Sequence, residues 1–306
     1  MKKRYRIALV IGLCLCGNAL AIAGAAGQEV YATPEQAIDA FIAANRIDDF
    51  GALSRILGPG SEKLVRSGDA VADRGHRARF VAAYDSGHRI EFAGDSKAVL
   101  IVGPRDWPMP IPLVRGDTGW RFDAPAAEQE VLNRRIGHNE LSVIEVCRAY
   151  VEAQREYAAR IALPGHPREY AQRFASHPGR RDGLYWAATQ GEPPSPLGPM
   201  VAQAETSGYQ TGPLGGIPEP YHGYYFRILT RQGPHAPGGA KSFLVEGRLT
   251  EGFALIAYPA LYGDSGVMTF IVSQDGIVYE KNLGAKTHAI ARQIEAYDPD
   301  ASWHAP

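Results

Sequence analysis

The sequence predicts a two-domain α+β protein, and three observations support this class. Apolar residues in the first half recur with a helical period up to about Tyr84, and with a period of two from Ile90 onward. The second half starts with a long helical pattern near Ala126 and ends in alternating strands. No repeat of roughly 20 to 50 residues is present, which excludes solenoids and propellers. We therefore expect a leader at residues 1–26 and domains at residues 30–125 and 126–303.

Three helices are expected at the start of the first domain. Thr33-Pro34-Glu35-Gln36 combines an N-cap residue, a proline at the first helical position and a capping-box glutamine. A second helix follows from Asp49 and stops at Gly58-Pro59, and a third covers residues 77–84. The strands of a meander follow, around residues 90–92, 99–102, 111–114 and 120–122. This order of elements resembles the cone-shaped fold of the nuclear-transport-factor and ketosteroid-isomerase superfamily, which implies a pocket between a curved sheet and the helices.

One long helix is expected to open the second domain and to end at Pro164-Gly165. A shorter helix is expected over residues 168–175, and the Gly- and Pro-rich stretch 178–220 is expected to hold one helical turn at residues 200–205. A hairpin at Gln274-Asp275-Gly276 is expected to join the last two strands, and a final helix to span residues 286–297. The strands of this domain are expected at residues 224–230, 242–246, 253–258, 267–272 and 277–280.

The first 26 residues have the layout of a secretory signal peptide. Four basic side chains precede an apolar run at residues 7–15, and a small-residue stretch with A-x-A-like cleavage sites follows at residues 19–26. Leucine precedes both Cys14 and Cys16, where a lipobox requires a small residue, so we expect no lipid anchor. The sequence thus predicts a periplasmic or secreted protein without a membrane span once the leader is removed.

Charge and cysteine content narrow the choice of partners. The whole chain has a formal net charge of −1, and loss of the four basic leader residues would bring it to about −5. Such a mildly acidic balance argues against nucleic acid or anionic lipid as a partner. Cys147 would then be the sole cysteine, so no intramolecular disulfide is expected. We expect another envelope protein as partner and no cofactor.

Several segments of the second half are distinctive. They are Asn139-Glu140-Leu141 followed by Arg148-Ala149-Tyr150, then Arg181-Asp182-Gly183-Leu184-Tyr185-Trp186, Tyr221-His222-Gly223-Tyr224-Tyr225-Phe226, and Thr269-Phe270-Ile271-Val272-Ser273-Gln274-Asp275-Gly276. These segments resemble a secreted bacterial family filed as domain of unknown function 2950, over nearly all of the mature chain. The resemblance implies no activity, because none is established for that family.

A long helix followed by strands that end in a Gln-Asp-Gly hairpin is also similar to the globular domains of type IV pilins and pseudopilins. Pilins assemble through an exposed apolar helical stem of about 20 residues. The matching helix here begins with Glu128, Glu130, Arg134 and Arg135 and lies in the middle of the chain. We therefore do not expect polymerisation in the pilin manner.

Two patterns bear on catalysis and metal binding. Gly263-Asp264-Ser265-Gly266 matches the nucleophile loop of chymotrypsin-like serine proteases, so a hydrolase using Ser265 is one alternative. The same residues suit a tight turn between strands, and no histidine segment typical of those proteases lies upstream. The chain has 9 histidines, but no two of them have the i, i+4 or H-x-H spacing that places two imidazoles on one metal. We assign no catalytic residue and no metal site.

Two groups of residues are candidates for binding. Arg134, Arg135, Asn139 and Glu140 concentrate polar groups near the start of the long helix, where a guanidinium could hold a carboxylate or pair the two domains. Tyr221, Tyr224 and Tyr225 could form part of a recognition surface or of the core, with Tyr224 and Tyr225 on opposite faces of a strand.

The sequence thus favours a non-catalytic binding or assembly protein of the bacterial cell envelope. The absence of a complete catalytic constellation, a phosphate-binding glycine loop and a metal-ligand spacing motivates this hypothesis. The alternatives are the hydrolase using Ser265 and an isomerase-like small-ligand pocket in the first domain.

Overall fold

The structure is a computed structural model that describes residues 22–23, 27–162, 167–207, 209 and 220–306. Most of the expected leader and the pair Pro164-Gly165 lie outside the described residues. The helices are α1 (Pro34–Arg46), α2 (Phe50–Leu57), α3 (Glu62–Val65), α4 (Ala70–Ser86), α5 (Ala124–Arg160), α6 (Gly198–Thr206) and α7 (Thr287–Gln293).

The strands up to the start of α5 are β1 (Ile22–Ala23), β2 (Glu29–Val30), β3 (His88–Phe92), β4 (Lys97–Val102), β5 (Trp107–Pro108), β6 (Leu113–Gly116) and β7 (Gly119–Phe122). The later strands are β8 (Tyr224–Leu229), β9 (Arg231–Gln232), β10 (Lys241–Ser242), β11 (Leu244–Val245), β12 (Arg248–Leu249), β13 (Ala254–Pro259), β14 (Met268–Ser273) and β15 (Val278–Asn282). Helices beside antiparallel sheets confirm the α+β class.

The helices of the first domain begin at capping residues that the sequence displays. Thr33 caps α1 and Asp49 caps α2, each by accepting a backbone N–H three residues further along, as predicted. The third predicted helix begins earlier than expected, at Ala70, because the Asp69 side chain caps it. The short helix α3 was not predicted, because its four residues bury no side chain and so show no apolar period.

A five-stranded antiparallel sheet completes the first domain, in the order β3-β4-β6-β7 with β5 beside β4. The predicted strands of the meander are all present. Leu100, Leu113 and Phe122 are fully buried in the core shared with α1 and α2. Tyr31 extends this sheet by exchanging two backbone hydrogen bonds with Trp120, at 2.8 and 2.7 Å.

α5 is a helix of 37 residues that contributes to two hydrophobic cores. Ala124 and Ala127 pack in the core of the first domain, whereas Val143, Cys147 and Val151 pack in the second core. The middle of the helix therefore lies at the junction of the two domains. No helix among the described residues is both long and apolar enough to cross a lipid bilayer.

A four-stranded antiparallel sheet forms the centre of the second domain, in the order β15-β14-β13-β8. The Tyr224 hydroxyl reaches Glu140 of α5, whereas the Tyr225 ring lies against His288 of α7. Because these two tyrosines alternate along β8, α5 and α7 cover opposite faces of the sheet. The central strand β13 is buried along its whole length.

The helix predicted over residues 168–175 is wrong. The Tyr170 N–H donates to the Leu249 carbonyl at 2.8 Å, and both backbone groups of Ala171 bond to the Gln154 side chain at 2.8 Å. Long-range partners thus satisfy this backbone in place of a helical ladder. The helical turn at residues 200–205 is present within α6, and the last helix, α7, is shorter than the predicted 286–297.

Candidate functional site

A cavity of about 830 Å³ lies inside the first domain. Its wall is built by α1, α2, α3 and α4, by the chain from the end of β4 through β5, and by the start of α5. A volume of this size is typical of pockets that enclose a small organic molecule. The expectation of a space between helices and sheet thus has a counterpart in the described structure.

Most of the cavity wall is apolar. Met109 and Ile111 are buried in it. Three aromatic rings also pack against one another from the mouth of the cavity to the core. Trp107 contacts Phe80 edge-on with ring centroids 6.4 Å apart, and Phe80 contacts Phe41 in the same way at 5.8 Å. Because the Trp107 side chain is 41% exposed, its indole marks the mouth of the cavity.

One part of the wall is polar, and we call it the polar end: His76 and Arg79 of α4, Arg135 and His138 of α5, and Asp73. The rings of His76 and His138 lie 5.6 Å apart. Burial, followed by the charge of Arg79, lowers the pKa of His76 to about 4, so its imidazole is neutral at pH 7. Burial also lowers the pKa of the Arg135 guanidinium.

Asp73 is the single carboxylate among the described residues that line the cavity. Its two oxygens accept the Ser67 backbone N–H at 2.9 Å and the Ser67 hydroxyl at 2.7 Å. The carboxylate is therefore engaged in positioning the turn before α4, and it is 7% exposed.

Guanidinium groups dominate the charge of the cavity, with five arginines against this one carboxylate. Arg77 forms an ion pair with Asp48 at 2.7 Å, and Arg134 forms one with Glu130 at 2.6 Å. Arg79 and Arg105 have no carboxylate partner within the described residues. This excess of uncompensated positive charge favours an anionic ligand.

Comparison with protein families gives one result that covers most of the chain. Residues 28–305 match the model of a family described as "Protein of unknown function (DUF2950)". The chain belongs to this family. The match confirms the resemblance seen in the sequence and brings no activity with it.

No curated protein and no solved structure shows significant similarity to this DUF2950 chain. The resemblance of the second domain to pilins and pseudopilins is therefore not confirmed. The cone-shaped description of the first domain likewise stays a prediction beyond its α+β class.

Of the residues predicted to bind, Arg134 and Arg135 lie in the cavity wall. Arg134 lies over the Trp107 ring, 5.4 Å from its centroid. Arg135 donates to the carbonyls of Lys63 and Leu64 at 2.7 and 3.1 Å. It thereby ties α5 to α3 across the cavity wall.

Asn139 and Glu140 face the second domain instead. Asn139 is buried and donates from Nδ2 to the Ser265 carbonyl at 2.9 Å. Glu140 accepts the backbone N–H groups of Val267 and Met268, both at 2.9 Å, through one carboxylate oxygen. These polar groups hold α5 against the loop that leads into β14.

The predicted tyrosines separate into different environments. Tyr224 is fully buried, and its hydroxyl donates to the Met268 carbonyl at 3.0 Å. Tyr221 is half-buried against the ring of Tyr209, with centroids 4.9 Å apart. Tyr225 lies on the opposite face of the sheet, near Tyr258 at 5.7 Å. The structure therefore does not bring the three tyrosines onto one surface.

Ser265 lies in a tight turn with its side chain fully buried. Among the described residues its hydroxyl bonds to the backbone of Leu261, accepting the N–H at 3.0 Å and donating to the carbonyl at 3.2 Å. No histidine base is in hydrogen-bond reach within that same set. The described chain also holds no group of three or more His, Cys, Asp or Glu side chains with metal-binding geometry.

Sequence reasoning missed the polar end, because its members come from two helices far apart in the chain. A local signal was present in each helix: His76 and Arg79 are three residues apart, and so are Arg135 and His138. Such spacing puts both members of a pair on one helical face. Only the packing of α5 against α4 places the two faces together.

Asp69 was also missed, and it joins the two domains. One of its carboxylate oxygens accepts the Tyr209 hydroxyl at 2.7 Å and the Gly223 N–H at 3.0 Å, while the other caps α4. The neighbouring His222 belongs to the second domain, and burial, followed by the charge of His138, lowers its pKa. Three histidines from separate segments thus converge beside the cavity.

Proposed function

We propose that this chain is a non-catalytic binding protein of the bacterial cell envelope, and that the cavity of the first domain holds its small-molecule ligand. The observation that carries the proposal is the cavity of about 830 Å³, with an apolar wall and a few convergent polar groups. This combination is the usual form of a ligand-binding pocket. The exposed side chains of Trp107 and Arg105 lie at its mouth, where a ligand would enter.

The polar groups of the cavity support binding rather than acid–base catalysis. An efficient general base has a pKa near the working pH, whereas the pKa of His76 is lowered to about 4. Asp73 already accepts two hydrogen bonds from Ser67. The buried Ser265 hydroxyl gives the hydrolase alternative no support, and stoichiometric fluorophosphonate labelling that is lost in Ser265→Ala would overturn the non-catalytic part of the proposal.

The binding proposal is tested by titrating the chain without its leader with N-phenyl-1-naphthylamine, whose fluorescence rises in apolar surroundings. Val131→Trp would place an indole in the cavity, and Asn133→Trp would place the same group on the exposed side of the same helix. We expect saturable binding by the unmodified chain and by Asn133→Trp, and loss of most binding in Val131→Trp. Equal binding by the two variants, or no saturable binding at all, would contradict the proposal.

The envelope location is supported by the leader pattern at residues 1–26. Fractionation of cells that express the native chain is expected to recover it, shortened by the leader, in the periplasmic or secreted fraction. Recovery of the full-length chain in the cytosol would contradict this part of the proposal. An envelope partner protein stays a prediction, which affinity capture from envelope fractions would test.

A further inference from the structure

We propose that the ligand of the cavity is an amphiphile with one apolar tail and one anionic head group, a carboxylate or a phosphate, and that the head group binds at Arg79. This inference rests on the function proposed above and names the chemical class of its ligand.

Arg79 is the guanidinium best placed to receive an anion. It lines the cavity and, among the described residues, has neither a carboxylate nor a hydrogen-bond partner. Its side chain folds back along α4, so that one nitrogen lies 3.3 Å from the position a Cβ on Gly75 would take. The absence of a side chain at Gly75 leaves room for the guanidinium beside His76. After burial, the charge of Arg79 is the largest cause of the lowered pKa of His76, so the guanidinium lies close to that ring.

The other groups of the polar end add positive charge or hydrogen-bond donors. Arg135 directs two N–H groups to the neutral carbonyls of Lys63 and Leu64, and the charges of Asp73 and Asp264 act on its guanidinium from a distance. Asp73 offsets one positive charge, but its oxygens already accept hydrogen bonds from Ser67. A cationic ligand would meet net repulsion here, whereas an anion would pair with the Arg79 guanidinium, which has no carboxylate partner among the described residues.

The apolar wall argues against a ligand that consists of an anionic group alone, without an apolar tail. Inorganic phosphate would leave the partly exposed apolar side chains of the wall, Phe80, Trp107 and Val131, facing water, and so would gain nothing from their burial. A purely apolar molecule would cover those surfaces but would leave the exposed Arg79 guanidinium without an anionic partner. An amphiphile covers the apolar wall with its tail and gives Arg79 an anionic partner with its head group.

Isothermal titration calorimetry with four single-chain compounds, each below its micelle concentration, tests this inference. The compounds are dodecanoate, dodecyl phosphate, dodecanol and dodecyltrimethylammonium. We expect the two anions to bind at least about tenfold more tightly than dodecanol, because charge-assisted hydrogen bonds are the stronger class. The cation should bind most weakly, and the ratio of the two anions decides between carboxylate and phosphate.

Arg79→Gln is expected to bring the affinity for dodecanoate to within about threefold of that for dodecanol, since the charge-assisted bond is lost. Arg74→Gln is the matched control, because Arg74 lies on the same helix, is 64% exposed, forms an ion pair with Asp48 and is outside the cavity wall. Its affinity for dodecanoate should be unchanged. In nuclear magnetic resonance titrations, dodecanoate should raise the pKa of His76 from its value of about 4, and dodecanol should not.

Equal binding of dodecanol and the anions would overturn the anionic head group and leave the cavity function standing. Binding of none of the compounds would overturn both proposals. Loss of the anion preference in Arg105→Gln but not in Arg79→Gln would overturn the assignment to Arg79. If Arg79→Gln fails to fold, the ligand series and the His76 titration on the unmodified chain still decide the matter.

Discussion

His76 shows how a single residue in this chain depends on its surroundings. Its imidazole lies half-buried between two helices, close to His138 and in the field of Arg79 and Arg135. Asp73 is the one group that favours its protonated form, and its influence is smaller than that of burial. The neutral imidazole is therefore part of the folded state at pH 7.

The lowered pKa of His76 predicts a loss of stability on acidification. Between pH 6.5 and about 4 the unfolded chain binds a proton that the native chain does not, so this contribution is fully present above pH 6.5 and falls toward pH 4. The full loss from this group is roughly 3 kcal/mol. We expect the free energy of unfolding, measured with urea across this pH range, to depend less steeply on pH in His76→Gln than in the unmodified chain. The exposed-site control His304→Gln should behave like the unmodified chain. Some slope should remain, because the pKa of His222 is lowered too. An unchanged slope in His76→Gln would refute the assignment.

Position 223 requires glycine for two reasons: its backbone conformation, and the close approach of neighbouring atoms. Its φ is +73°, and a Cβ there would lie 2.8 Å from both Asn139 Nδ2 and the Ser265 Cβ. Gly239 has a similar φ of +76°, but a Cβ there would meet nothing within 4 Å. The two glycines thus separate the effect of conformation from that of crowding.

Alanine substitution at these two positions is expected to give unequal losses of unfolding free energy. Gly239→Ala should lose about 1–2 kcal/mol from the left-handed conformation alone. Gly223→Ala should lose about 1–3 kcal/mol more, because crowding at the domain junction adds to it. Chemical denaturation of both variants measures the difference in unfolding free energy. Equal losses would mean that the domain junction accommodates the added methyl group without loss of stability.

Among the elements, those with a clear local signal are the ones that the sequence predicted best. The caps at Thr33 and Asp49 and the long apolar period of α5 are local signals, and the elements that they predict are present. The helix expected over residues 168–175 did not form, because Tyr170 and Ala171 have partners far along the chain. Local pattern succeeds where the backbone bonds to itself within a turn, and fails where it bonds elsewhere.

The capping residues of α4 and α2 have different numbers of partners, so their replacement should lower the free energy of unfolding by different amounts. Asp49 is exposed and accepts one N–H, whereas Asp69 is 2% exposed and accepts from Ala72, Tyr209 and Gly223. Asp49→Ala should lose about 1 kcal/mol of stability, the usual value of a cap. Asp69→Ala should lose about 3 kcal/mol or more, because it also leaves a buried N–H of the second domain without a partner. Thermal or urea unfolding compares the two, and similar losses would show that the Asp69 contacts between domains add nothing.

At the scale of the whole molecule, α5 couples the two cores. One continuous helix supplies residues to both, and Arg135 and Asp69 add polar contacts across the junction. The domains are therefore not independent parts joined by a flexible linker. Opening of one core should disturb the other.

We predict that strands of the two domains become exposed to hydrogen exchange in a single cooperative opening. Amides of β4 and β14 should exchange with the same free energy in the unmodified chain. Gly137→Pro, which breaks α5 between the cores at a cost of about 3 kcal/mol, should separate the two values. Gly137→Ala is the control, because a Cβ there meets nothing within 4 Å and the helix is retained. Different exchange free energies for β4 and β14 in the unmodified chain would show that α5 does not couple the opening of the two cores.

The sequence by itself determined the α+β class, the order of most elements, their capping residues and the family of the chain, because periodicity and capping act within a few residues. It also pointed to Arg134 and Arg135, which lie at the cavity. Only the tertiary structure decided that His76, Arg79 and Asp73 of α4 face Arg135 and His138 of α5, and that Asp69 meets Gly223. Those contacts join residues tens to more than a hundred positions apart, and only the packing of helix on helix and domain on domain brings them together.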